Sequence, residues 1–207
     1  MNKISAHHTK QKLIDTASDL IWKNSYGSVS VDDICKTAGV KKGSFYHFFP
    51  SKIDLVLASM DAHFQSKKAV YDSIFSPQTP PLQRFEQLAD FLYEMQAEAV
   101  AKHGKVCGCP YTTLGSEMAG QEDVIRHKLN ELTKCFERYY ENAIRDLIIE
   151  GLLPEKTNVK TKSQEIFTYF IGVFTLARIQ NDLELLKRDL KPGLLKTLGL
   201  KDKLQEQ

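Results

Sequence analysis

The stretch VDDICKTAGVKKGSFYHFFPSK, residues 31–52, sets the frame for the whole chain. Ser30 followed by Asp33 is a capping-box pattern, so a short helix opens there and runs through Ala38. Gly39 is placed to take the left-handed conformation that ends it, with Val40 turned inward. A third helix follows from about Lys41 to Phe48. Pro50-Ser51 then breaks the chain, and Ser51 is positioned to cap a fourth helix.

Working outward, apolar residues recur at helical spacing and no sustained period-2 segment interrupts them, which predicts an all-α fold. Leu13, Ile14, Ala17, Leu20 and Ile21 form one face of a first helix, which Gly27 ends. The fourth helix carries Ile53, Val56, Leu57, Met60 and Phe64. After the turn-forming SPQTPP at 76–81, Phe85, Leu88, Leu92, Met95 and Ala99 mark a further helix stopping near Gly104. The compact CGCPYTTLGSEMAGQ is loop and short helix. Ile125, Leu129, Leu132, Phe136, Tyr139 and Ala143 mark a long helix ending at Gly151. The segment 166–179 is apolar nearly all round, so it should be covered on every side. Leu183, Leu186 and Leu190 start a last helix before Lys191-Pro192-Gly193. About nine helices are expected in all.

Length and composition fit a globular protein of one or two domains, with 42% hydrophobic and 26% charged residues in 207. No apolar run approaches the roughly 20 residues of a membrane span, and the N-terminal stretch does not resemble a signal peptide. A cytoplasmic protein is expected. The four cysteines, Cys35, Cys107, Cys109 and Cys135, contain no CxxC and are expected to be reduced. Net charge is only +2, but residues 1–52 hold eight lysines against four acids and so carry +4, leaving −2 for the rest. A basic head on a mildly acidic body suits contact with a polyanion.

Two short helices joined at a glycine form the helix-turn-helix pattern, whose second helix enters the DNA major groove. The side chains suit that task. Lysines neutralise phosphates, while Ser, Tyr and His donate to phosphate oxygens or base edges. Gly43 lets the backbone come close to the sugar-phosphate wall.

The run VSVDDICKTAGVKKGSFYHFFPSK closely resembles the DNA-binding segment of the tetracycline-repressor (TetR) family of bacterial transcriptional regulators. The matching features are Ser30-Val31-Asp32-Asp33-Ile34, Ala38-Gly39-Val40, Lys42-Gly43-Ser44, Phe45-Tyr46-His47-Phe48-Phe49 and Ser51-Lys52. The resemblance extends over the whole chain and weakens after residue 65. It implies a helix-turn-helix DNA-binding domain at 1–52 and an effector-binding and dimerisation domain at 53–207. It further implies a homodimer that binds a palindromic double-stranded operator and is released by a small molecule, with the last two helices of each subunit pairing. Carried over residue by residue, Ser30, Lys41, Lys42, Gly43, Ser44, Tyr46, His47 and Lys52 would meet DNA, with Lys42, Gly43 and Ser44 nearest the bases. Phe45, Phe48 and Phe49 are expected in the core. Val31 stands where the family often places a phosphate-contacting Thr or Ser. Phe85, Met95, Tyr111, Met118, Phe136, Tyr140, Phe170 and Arg178 are the candidates for an effector pocket.

Arg178 lies in an apolar helix, where an unpaired charge is costly, and an acid such as Glu117 or Asp182 is its expected partner. Cys107 and Cys109, with His103 nearby, offer a rival trigger by oxidation or metal binding, although HxxxCxC is not a standard zinc spacing. Buried small hydrophobes in a packed turn are the favoured account of them. No cofactor or metal is expected. No phosphate loop, nucleophile elbow or HExxH is present, so a small all-α enzyme or a helical adaptor stands only as an alternative class.

Overall fold

The computed structural model describes residues 3–200, with side chains from residue 6. Among the described residues the fold is all-α, with nine helices and no strand. These are α1 (Lys3–Lys23), α2 (Val31–Ala38), α3 (Lys42–Phe48), α4 (Lys52–Ile74), α5 (Pro81–His103), α6 (Pro110–Met118), α7 (Asp123–Ile149), α8 (Val159–Gln180) and α9 (Leu183–Leu198). No helix among them is long and apolar enough to cross a membrane. The first helix ends at Lys23, four residues before Gly27, where the Asn24 side chain and backbone N–H both turn back to donate to the Leu20 carbonyl at 3.0 Å.

Two compact units emerge. The first comprises the described residues up to Lys68 together with Pro110–Asn130; the second comprises Ala69–Cys109 and the described residues from Glu131 onward. In the first unit, Leu13, Ile14 and Ala17 of α1, Ile34, Cys35 and Ala38 of α2, Phe45 of α3, and Leu55 of α4 are buried together with Val29 and Phe49. The α1 face expected from periodicity is therefore the core face. Leu20 and Ile21 lie at its margin. Ser59, buried on α4, donates to the carbonyl of Leu55 at 2.8 Å.

In the second unit α9 packs against both α5 and α8. Arg84, almost wholly buried at the start of α5, donates to the Thr79 carbonyl at 2.7 Å and to Asp146 at 2.5 Å, so its charge is paired rather than stranded. The last helix runs through Pro192 to Leu198. Leu190, Leu194, Leu195 and Leu198 stay buried on one stripe, and that burial outweighs the single ladder bond a proline removes. Within one chain the segment 166–179 is covered on one side only. Ile166, Phe170, Val173, Phe174 and Ala177 are buried, whereas Leu176 and Ile179 are 44% and 74% exposed.

Gly193 explains how α9 accommodates its neighbour. The Tyr169 hydroxyl donates to the Asp189 carbonyl at 2.6 Å, and a Cβ at position 193 would collide with that hydroxyl. Alanine ordinarily stabilises a helix interior relative to glycine by about 0.5–1 kcal/mol. Here the sign should reverse. Gly193→Ala is expected to lower stability by about 1–3 kcal/mol through overpacking, and Tyr169→Phe in the same chain should recover part of that loss. Thermal denaturation of the single and double variants checks both.

Candidate nucleic-acid interface

The expected capping box is formed. The Ser30 hydroxyl accepts the Asp33 N–H at 3.1 Å, and the Asp33 carboxylate accepts both the backbone N–H and the hydroxyl of Ser30, at 2.9 and 2.6 Å. Those bonds hold the Asp33 carboxyl below its ordinary range. Ser30 is thus exposed but committed to its own helix. At the other end Gly39 adopts φ 61°, and the Val40 N–H reaches back to the Cys35 carbonyl at 2.9 Å. That closure sends the chain into α3.

Helix α3 is seven residues long and has one buried anchor. Phe45 is 0% exposed, and its ring lies edge-on to Tyr46 at 5.1 Å. With Phe45 inward, helical spacing sends the remaining polar side chains outward. Lys41, Lys42, Gly43, Tyr46 and His47 are exposed, Tyr46 by 51%, while Ser44 is half-buried. Phe49 is buried and Phe48 half-buried, as expected of core residues. A Cβ at Gly43 would meet nothing within 4 Å, so the space beside it opens outward. Six of the eight candidate DNA-contacting residues therefore gather on α3 and its N-cap. Ser30 caps α2. Lys52, at the start of α4, turns instead toward Tyr26: its ammonium donates to the Tyr26 carbonyl at 2.5 Å and sits 3.7 Å from the ring centroid. Burial lowers its pKa.

Several contributors were not singled out from the sequence. Asp32 accepts from Lys42 at 2.9 Å across the two exposed ends of α2 and α3, raising the lysine's pKa through the hydrogen bond. Glu117 of α6, considered only as a partner for Arg178, accepts the N–H groups of Tyr26 and Gly27 at 2.8 and 2.6 Å. Trp22 and His63 form a line of edge-on rings with Tyr111, itself one of the pocket candidates, at 5.9 and 5.7 Å. Burial pushes the His63 imidazole down to about 4, which keeps it neutral at physiological pH. Its only local sign in the sequence is a position one residue before Phe64 on an amphipathic helix.

The eight candidate pocket residues fall in different units. Tyr111 and Met118 belong to the first, the other six to the second. In the second unit Phe85, Phe136, Tyr140 and Phe170 join an aromatic cluster with Tyr71, Phe75 and Tyr139. Tyr71 lies 5.2 Å from Phe136, and Tyr140 lies 5.9 Å from Phe75 and 6.0 Å from Phe170. Burial raises the Tyr71 and Tyr140 phenols, and Cys109 lies near enough to add to both. Met95 is half-buried on α5. Arg178 donates through Nη1 to the Cys107 carbonyl. Of the two acids expected as its partners, Glu117 accepts from Tyr26 and Gly27 as above, and Asp182 is the N-cap of α9, accepting from the Leu185 N–H at 3.2 Å. Gln96, buried on α5, brackets Gly108 by donating to its carbonyl at 3.1 Å and accepting its N–H at 2.9 Å. Cys107 is buried and Cys109 half-buried, both as thiols outside any disulfide. Among the described residues no three His, Cys, Asp or Glu side chains converge as a metal site.

A capped α2, a tight turn at Gly39 and an α3 with one buried aromatic and an exposed Lys-Lys-Gly end define a helix-turn-helix DNA-binding protein. Residues 13–59 match the family described as bacterial regulatory proteins, tetR family, and residues 81–191 match the tetracyclin repressor-like C-terminal domain. The chain belongs to the TetR family of transcriptional regulators. It is 33% identical over 171 residues to the transcriptional regulator AcuR of Cereibacter sphaeroides, covering 82% of this chain and 76% of that one. It is 27% identical to a regulator of Lactococcus lactis, across 95% of this chain and 96% of the relative. Among solved structures, a TetR regulatory protein from Rhodobacter sphaeroides superposes with a TM-score of 0.77 at 27% identity, covering 92% and 97% of the two chains. The reduced form of Escherichia coli NemR shares the fold, with a TM-score of 0.75 at 20% identity over 95% and 96%.

Two variants test the α3 surface. Asp32→Asn should free the Lys42 ammonium and remove a negative charge beside it, tightening DNA binding about two- to fivefold at low salt, with the gain fading as salt rises. Lys42→Ala should reduce the steepness of log K against log salt by about 0.9, the signature of one lost phosphate contact. Fluorescence anisotropy on a fixed duplex across a salt series reads both.

Proposed function

We propose that this chain is a ligand-responsive repressor, a homodimer that holds a palindromic operator through α3 and lets it go when a small molecule binds. Residues 1–52 act as the reading head and 53–207 as the effector-binding and dimerisation part. The observation that carries the reading is the exposed polar face of α3 above the buried Phe45. Lys41, Lys42, Gly43, Ser44, Tyr46 and His47 supply cations and donors for phosphates and base edges there. Belonging to the TetR family supports the operator, the dimer and the effector alike. The exposed Leu176 and Ile179 on α8 are the apolar surface a second copy would cover. The protein works in the cytoplasm, where its operator is, and has no catalytic task.

The aromatic cluster around Tyr71, Phe136, Tyr140 and Phe170 favours a mostly apolar effector, and Met95 and Arg178 are further candidates for contact. A second reading is supported by the half-buried Cys109 with the buried Cys107 two residues earlier, both as thiols. In that reading oxidation of the thiols releases the operator. The relative NemR is described in a reduced form, which supports considering oxidation here.

One experiment separates these readings. The purified dimer is tested for salt-sensitive binding to the DNA upstream of its own gene, then for release by compounds that raise its melting temperature in a small-molecule screen. Wild type and Cys107→Ser/Cys109→Ser are compared. Release of both proteins by the same organic compound supports the pocket. Release of wild type alone, by peroxide, makes the thiols the trigger and overturns the effector reading. Absence of any salt-sensitive binding overturns the repressor itself.

A further inference from the structure

The turn between α1 and α2 is gripped from two sides. From α6, the Glu117 carboxylate accepts the N–H of Tyr26 at 2.8 Å and the N–H of Gly27 at 2.6 Å. From the start of α4, the Lys52 ammonium donates to the Tyr26 carbonyl at 2.5 Å and covers the tyrosine ring at 3.7 Å. One dipeptide therefore has its two N–H groups on an anion and its C=O on a cation. Each bond is charge-assisted, the stronger kind. The two charges are also near enough to act on each other: Glu117 raises the Lys52 pKa against the larger lowering from burial.

Gly27 fits this role. Its backbone is not in the left-handed region, so no conformational demand calls for glycine there. A Cβ at that position would instead stand 2.8 Å from a Glu117 carboxylate oxygen. The missing side chain makes room for the carboxylate. Ser30, which caps α2, lies three residues beyond Gly27, so whatever fixes the turn also fixes the entry of the helix-turn-helix.

We propose that Glu117 is a positioning residue for operator binding: through its hold on Tyr26 and Gly27, α6 sets where the reading head stands. The proposal rests on the reading of α3 as the DNA-contacting helix and adds to it the contact by which α6 governs that helix. Glu117 acts through the turn and touches no phosphate.

The sign of the expected effect separates positioning from simple electrostatics. Deleting a negative charge from a DNA-binding unit should tighten operator binding if charge alone mattered. Loss of the grip should instead loosen it, by about tenfold for two charge-assisted hydrogen bonds. The full-length dimer and an operator duplex obtained by binding-site selection are used, well below the unfolding temperature. Glu117→Ala is expected to bind about tenfold more weakly with an unchanged salt slope, since no phosphate contact is lost. Glu117→Gln, which keeps one acceptor oxygen, should be intermediate. Gly27→Ala attacks the same contact from the other side and should match Glu117→Ala, and the double variant should be no worse than either single one. Amide exchange should quicken at Tyr26 and Gly27 in Glu117→Ala.

Unchanged or tighter operator binding in Glu117→Ala overturns the proposal, as does strict additivity with Gly27→Ala. A melting temperature that falls while the folded protein binds normally assigns Glu117 to stability alone and also overturns it. If wild type itself selects no operator, it is the function proposed above that fails, and the two failures are told apart by that one control.

Discussion

The burial of Phe45 is the constraint on which the exposed face of α3 depends. A helix of seven residues has too few hydrogen bonds to persist alone, because nucleation costs more than two turns return. α3 exists because one aromatic ring enters a core made by α1, α2 and α4, and Phe49 enters the same core just beyond its end. Fixing that ring fixes the rotation of the helix. Everything on the opposite side is then presented outward, and the polar residues need not be ordered individually by contacts of their own.

The exposed face is only lightly restrained. Lys42 pairs with Asp32, but both side chains are well exposed, and a solvent-screened ion pair contributes little to stability. The lysine can exchange its partner for a phosphate at small cost. Lys52 is different. Its stem and charge are partly buried against Tyr26. Two lysines ten residues apart in one motif thus sit in unlike surroundings, and the difference lies in burial.

The local part of this arrangement was legible in the sequence. Capping acts over three residues, so Ser30 with Asp33 and the cap at Ser51 were readable, and both caps are formed. Gly39 announced its turn, and the stripe Leu13, Ile14, Ala17 announced the core face of α1. What could not be read were contacts closed by the fold. Glu117 meets Tyr26 across 91 residues, and nothing near either one signals the other. Periodicity also saturates. When nearly every position of 166–179 is apolar, spacing cannot tell the buried Phe174 from the exposed Ile179. At Pro192 a local helix breaker is overridden by the buried leucines that continue beyond it. The candidate pocket was chosen by residue type, and type does not report which aromatics share a neighbourhood; four of the eight do.

Binding-site selection from a random duplex library, sequenced after several rounds with the wild-type protein, tests most directly whether the face opposite Phe45 reads DNA. The account predicts a palindromic motif whose two half-sites lie about one helical turn apart or a multiple of it, roughly 34–36 Å centre to centre for one turn. Recovery of no enriched sequence, or the same motif from a protein whose Lys42, Ser44 and Tyr46 have all been replaced by alanine, would contradict it.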